Sequence, residues 1–271
     1  MRHFLPAWFP VAALLLSTMP ACGQNQPPAL LSPRAVDRLP SAAADTRLPY
    51  GTAREQFGEL RLPAGTGRVP VVVVIHGGCW IAEMASLQNT RALADALRRD
   101  GLATWNIEYR RLGSAGGGWP GTFLDIATGV DFVRTLARQF PRLDTTRVVV
   151  VGHSAGAHLA LWAAARHRLP AGSAIRTPGT PLRPRGAVAL DGPPDLAPFV
   201  GRDAEVCGAP VSTQLLGGAR DAVPERWHDA SPAALLPFGV PTRLVVGTPH
   251  GMMPAEAGRA WEQRAHAAGD A

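Results

Sequence analysis

The stretch Arg147-Val148-Val149-Val150-Val151-Gly152-His153-Ser154-Ala155-Gly156-Ala157-His158-Leu159-Ala160 constrains the fold more than any other part of the sequence. A run of β-branched residues predicts a buried strand, and the apolar stretch from Leu159 to Ala165 predicts a helix. Only a tight turn fits between them, and Gly152 and Gly156 leave room for the strand and helix to pack closely around it. A serine at the apex of such a turn sits in a strained backbone and projects its hydroxyl. The pattern reads as a nucleophile elbow, in which the backbone N–H of Ala155 faces whatever Ser154 attacks.

A second motif lies upstream. Val71-Val72-Val73-Val74-Ile75 reads as a buried parallel strand running directly into His76-Gly77-Gly78-Cys79-Trp80. This loop resembles the H-G-G-x-W loop that supplies the oxyanion hole in α/β-hydrolases. The two motifs in this order, with Trp105-Asn106-Ile107-Glu108-Tyr109-Arg110-Arg111 and Gly118-Trp119-Pro120-Gly121-Thr122, are similar to the esterase branch of that superfamily. The branch includes feruloyl- and acetyl-esterase-like (BD-FAE-like) lipases and kynurenine formamidase. The resemblance runs from about Tyr50 to the end of the sequence. It implies that the N–H groups of Gly78, Cys79 and Ala155 together hold a developing oxyanion.

Along the chain, predicted strands alternate with helices. Strands are expected over Arg54–Leu62, Val69–Ile75, Ala103–Glu108, the elbow strand, Gly186–Leu190 and Arg243–Gly247. Helices are expected over Ser86–Arg99, Thr122–Phe140, from the elbow to about Arg166, and over Ala255–Ala268. The alternation implies an α/β fold with a doubly wound, mostly parallel sheet. Against the α/β-hydrolase pattern the last strand is lacking.

The sequence of 271 residues is long enough for one such domain, and 46% hydrophobic with 18% charged residues is an ordinary globular balance. The net charge of +6 comes entirely from arginines, since the sequence has no lysine. These arginines are scattered rather than gathered into a stripe, which argues against nucleic acid as a partner. Residues 1–22 read as an export signal: Arg2, an apolar run from Val11 to Leu16, then Met19-Pro20-Ala21-Cys22. The run is too short to span a bilayer. The position of Cys22 resembles a lipoprotein signal, so membrane association is expected only through a lipid on that cysteine, and the location is periplasmic or membrane-anchored. Residues 23–49 read as a Pro/Ala-rich linker and 50–271 as the catalytic domain. With Cys22 lipidated, Cys79 and Cys207 remain as a pair in an oxidising compartment. A disulfide between them would brace the oxyanion loop against the segment after the sixth strand.

A serine needs a base oriented by a carboxylate. In the families resembled, the acid follows the seventh strand and the histidine follows an eighth. Here the strand ending at Gly247 runs into Thr248-Pro249-His250-Gly251-Met252-Met253-Pro254, and the sequence ends at Ala271. Three readings are open: a further segment carries the histidine; Asp191 serves as acid and His250 as base; or the protein is a pseudo-hydrolase that binds a small ligand without turnover. Asp191, within Asp191-Gly192-Pro193-Pro194-Asp195, reads equally well as a turn former. His76 reads as a loop-shaping residue and His158 as packed beneath the site. Trp80, Tyr109 and Trp119 read either as substrate-pocket walls or as packing. No spacing suggests a metal site and no cofactor is implied. The resemblance implies a serine carboxylesterase acting on short-chain or aryl esters through an acyl-enzyme, with a small-molecule ester as its substrate. A formamidase-like amidase is the runner-up.

Overall fold

The computed structural model describes residues 31–247 and 253–270. A seven-stranded sheet runs in the order β1-β2-β4-β3-β5-β6-β7. The strands are β1 (Thr46–Pro49), β2 (Phe57–Arg61), β3 (Val69–Ile75), β4 (Ala103–Ile107), β5 (Leu143–His153), β6 (Gly186–Leu190) and β7 (Thr242–Val245). From β4 onward through β3, β5, β6 and β7 all pairings are parallel, while β1 and β2 add an antiparallel edge.

The valine run of β3 shows why the sheet is covered on both faces. Val71, Val73 and Ile75 belong to one apolar cluster with Ala157, Ala160 and Phe123. Val72 and Val74 belong to a second with Ala94 and Leu97. Alternate side chains point to opposite faces, so a strand apolar at every position must be buried twice. The helices doing this are α2 (Arg91–Arg99) on one face, and α3 (Gly121–Asp131), α4 (Val133–Gln139) and α5 (Ala155–Ala165) on the other. Each wholly buried valine or isoleucine contributes roughly 1.5–3 kcal/mol.

The segment read as a linker holds structure. A short helix, α1 (Pro33–Val36), is tied down where Asn89 donates to Asp37 (2.8 Å) and to the carbonyl of Pro33 (3.3 Å). Strand β1 pairs with β2 from Thr46↔Leu60 to Pro49↔Phe57. The domain therefore begins before Tyr50. An edge strand tolerates proline and arginine, which removed the signal that a buried strand would have carried. The helix expected over 122–140 bends at Phe132, where the N–H still donates to Thr128 (2.8 Å) and the ring stacks on Trp105, 5.7 Å between centroids. The irregular stretch after β6 contains three short helices, Arg202–Cys207, Val211–Leu216 and Pro224–Ala230, before β7 and a final helix, Ala255–Ala267. The export signal with Cys22, and His250, lie outside the described residues.

Candidate active site

Strand β3 lies between β4, which follows it in the chain, and β5, which returns on its other side. Parallel α/β sheets bind ligands at such a reversal, outside the carboxyl ends of the strands. Register puts Ile75 beside Gly152, Gly152 beside Ala189, and His153 beside Leu190. The residues just past these strand ends are His76–Trp80, Ser154 and Asp191, so three loops meet at one edge.

Ser154 has φ 57° and ψ −123°, outside the regions open to ordinary residues. The glycines around it hold it there. A β-carbon on Gly152 would lie 2.0 Å from the carbonyl oxygen of Gly156, and one on Gly156 would lie 2.2 Å from that of Ile75. Gly192, just after Asp191, approaches the Ser154 carbonyl so closely that a β-carbon would sit 2.1 Å from its oxygen. The serine N–H donates to the Leu190 carbonyl at 2.8 Å, which ties the elbow to β6.

The loop after β3 presses on the elbow from the other side. Its residues Gly78, Cys79 and Trp80 have φ of 101°, 53° and 57° in succession. Among the described residues, no acceptor meets the backbone N–H of Gly78, Cys79 or Ala155. The Ala155 N–H also opens helix α5, whose first amides have no partner within the helix and carry its positive end. Serine and unspent donors thus converge on one edge of the sheet.

Beneath the loop lies a buried ionic cluster whose function the sequence does not disclose. His76, wholly buried, donates from Nδ1 to the carbonyl of Gly77 (2.8 Å), and its Nε2 meets Glu108 Oε1 at 2.9 Å. Arg111 pairs with Glu108 at 2.8 Å and donates to the carbonyl of Ala85. Burial alone would raise the Glu108 carboxyl, but the charge and hydrogen bond of His76, together with Arg111 and the N–H of Leu87, hold it below the usual carboxylate range. With both ring nitrogens engaged, His76 shapes the loop and is not placed to serve Ser154. A glutamate and an arginine closing an apolar strand were the only signal in the sequence.

Two of the aromatic residues read as pocket walls do not line an open pocket. Tyr109 is wholly buried; its hydroxyl donates to the His76 carbonyl (2.9 Å) and its ring stacks on His76 at 4.5 Å. Trp80 is 1% exposed and packs edge-on against His158 and Phe199. Large rings next to a strained loop are used to hold it. Trp119 is half-buried and lines a cleft of about 470 Å³ with Ser173, Arg226 and Asp229, a cleft that Ser154 does not line. His158 lies beneath the site as expected, with Nε2 2.8 Å from the Ala230 carbonyl; burial holds its imidazole down at about 4. His153, next to the serine, is likewise held below the usual histidine range by desolvation, against the pull of Asp191.

Asp191 follows β6 with φ 48°. Its N–H donates to Val245 (2.7 Å), and its Oδ1 accepts the N–H of Met253 at 3.1 Å. One residue therefore grips the chain on both sides of the segment in which the sequence places His250. Asp195, four residues on, accepts from Ser231 (2.8 Å) and pairs with Arg264 (2.8 Å), which ties this turn to the last helix. Cys79 and Cys207 are joined by a disulfide, with their Cα atoms 5.9 Å apart.

No curated protein matches the sequence. Solved structures do match in fold. A bifunctional GH43-CE protein of Bacteroides eggerthii is 22% identical with a TM-score of 0.68; the match covers 84% of this chain and 34% of that one, so this chain spans about a third of its length. A truncated carbohydrate esterase from gut microbiota is 19% identical, TM-score 0.66, covering 84% and 86% of the two chains. Propionate-bound esterase 2 of Thermogutta terrifontis is 18% identical, TM-score 0.64, covering 83% and 79%. At these identities the likeness is one of fold, the α/β-hydrolase fold of esterases. Matched over residues 59–260, the chain belongs to the BD-FAE family, and that membership supports an ester hydrolase.

Proposed function

We infer that the protein is a serine carboxylesterase acting on short-chain or aryl esters, with Ser154 as nucleophile. The observation that carries this reading is the convergence of a strained serine with the unspent N–H groups of Gly78, Cys79 and Ala155. The Ser154 hydroxyl attacks the ester carbonyl and gives its proton to a base. The resulting alkoxide is held by the three N–H groups. As the carbon–oxygen bond to the alcohol breaks, the base returns the proton to the departing oxygen. Water then attacks the acyl-enzyme by the same route and releases the acid.

For the base and its orienting carboxylate we take His250 and Asp191, supported by the grip of Asp191 on Val245 and Met253. His250 lies outside the described residues. Only protein groups are needed for this chemistry. The disulfide supports export to an oxidising compartment, in keeping with the leader-like residues 1–22 and Cys22 as a lipid attachment site.

Hydrolysis of p-nitrophenyl acetate by the wild type, beside Ser154→Ala of unchanged melting midpoint, tests the reading. Turnover that disappears in the variant is expected. Equal rates in both would leave a ligand-binding pseudo-hydrolase. A preference for an N-formyl aryl amide over the ester would favour the amidase instead.

A further inference from the structure

We propose that the Cys79–Cys207 disulfide is a positioning device for ester hydrolysis: it holds the Cys79 and Gly78 N–H groups in their working orientation, so that turnover falls when the bond is reduced. This rests on the serine-esterase reading above.

Within His76–Ala82 the backbone is pinned on both sides of Cys79. The His76 carbonyl accepts from Tyr109, the Gly78 carbonyl from Ile81 (2.8 Å), the Trp80 carbonyl from Leu112 (2.8 Å), and Ala82 donates to Leu112 (2.9 Å). Among the described residues, no backbone hydrogen bond holds Cys79 itself. Yet Cys79 and Trp80 both occupy the left-handed region that only glycine enters freely. A freed loop has an easier backbone to fall into, and its N–H vectors would turn with it. The restraint at Cys79 is its side chain.

The far end of that restraint is itself fixed. Cys207 closes the helix Arg202–Cys207, whose first turn holds Asp203, an almost fully buried carboxylate that accepts the N–H groups of Gly201 (3.0 Å), Ala204 (2.9 Å) and Ser212 (2.9 Å). Gly208 ends the helix in a left-handed conformation. Phe199, just before it, packs on Trp80 at 6.3 Å. The bond spans 128 residues of sequence, from the loop after β3 to the excursion after β6. The strut joins two independently anchored parts, and at one of its ends stands the strained residue that bears the donor.

The test compares oxidised wild type, wild type reduced in the folded state with a phosphine, and Cys207→Ser, which leaves Cys79 and its N–H in place. For p-nitrophenyl acetate we expect kcat to fall about 10- to 100-fold in the latter two, short of the roughly 100- to 1,000-fold cost of deleting an oxyanion donor outright. KM should change less than about threefold, as expected when an interaction belongs to the transition state. Inhibition by a trifluoromethyl ketone, whose hemiketal oxyanion needs the same N–H groups, should weaken in parallel. Cys207→Ser should ignore the reductant. Unchanged kcat in a folded, reduced protein would overturn the proposal. So would loss of near-UV circular dichroism on reduction, because the bond would then be a general staple. If Cys207→Ser does not fold, the reduced wild type alone decides between these outcomes. If oxidised wild type has no Ser154-dependent turnover, the esterase reading fails first; if that turnover is present but indifferent to reduction, only the strut fails.

Discussion

A β-carbon on Gly77 would lie 2.9 Å from the Cβ of Ser154, and 2.7 Å from the His153 carbonyl oxygen. Neither neighbour is the end of a flexible side chain, so an added methyl group must displace the loop or the elbow. Gly77→Ala should therefore lower kcat about 100-fold or more, comparable to loss of an oxyanion donor. Gly172→Ala, where an added β-carbon meets nothing within 4 Å, is the matched control and should keep its rate. Steady-state kinetics on both variants, with melting midpoints recorded, checks this; an active Gly77→Ala would mean that the loop need not approach the serine.

The cluster beneath the loop sets a stability prediction. In Glu108→Gln the Arg111 guanidinium and the His76 ring lose a carboxylate within 2.9 Å in a nearly dry site. Breaking a buried ion pair from one side costs about 3–5 kcal/mol, since the remaining partner stays desolvated. Urea unfolding at pH 7 should show a loss of this order. A change below about 1 kcal/mol would mean that water reaches the cluster.

His158 makes stability depend on pH in a definite direction. Its folded value, about 4, lies below the ordinary 6.5 because burial disfavours the imidazolium, despite the Ala230 carbonyl and Asp195. Between those values the unfolded chain takes up a proton that the folded one refuses, so stability falls as the pH drops from 6.5 toward 4 and is level above that window. The total is roughly 3 kcal/mol. His158→Gln keeps a donor for Ala230 but cannot titrate, and its unfolding free energy should lack this slope. An identical profile in the variant would assign the acid sensitivity to other groups.

What the sequence disclosed and what it withheld follow from how each residue is constrained. Gly152 and Gly156 were legible because backbone from another segment occupies the space of a side chain, an exclusion that any sequence with this elbow must respect. Strand β3 is legible because burial on two faces demands an apolar residue at every position from Val71 to Ile75. Strand β1, with its burial alternating between half-buried and exposed, has no such demand, and its sequence reads as linker. Glu108 and Arg111 acquire meaning only from His76, which lies 32 residues before Glu108 in the chain and meets it in space. The short helices after β6 are bounded by glycine and proline and carry too few turns for a period to emerge. Tyr109 and Trp80 were ambiguous, because an aromatic ring in a loop has the same letter whether it meets substrate or core.

Asp191 is the residue at which turn and catalytic acid can be separated by one substitution. At φ 48° asparagine is as comfortable as aspartate, and its side-chain oxygen can still accept the Met253 N–H at 3.1 Å. Asp191→Asn should therefore preserve the fold and the melting midpoint while removing only the charge. If Asp191 orients and stabilises a histidine base, kcat should fall by about 10²–10⁴, since a neutral amide neither fixes the tautomer nor supports the imidazolium. His250→Ala should be as slow, and the double variant no slower than either, because members of one catalytic unit do not act additively. Full activity in Asp191→Asn would make Asp191 a turn residue and require a different carboxylate for the base.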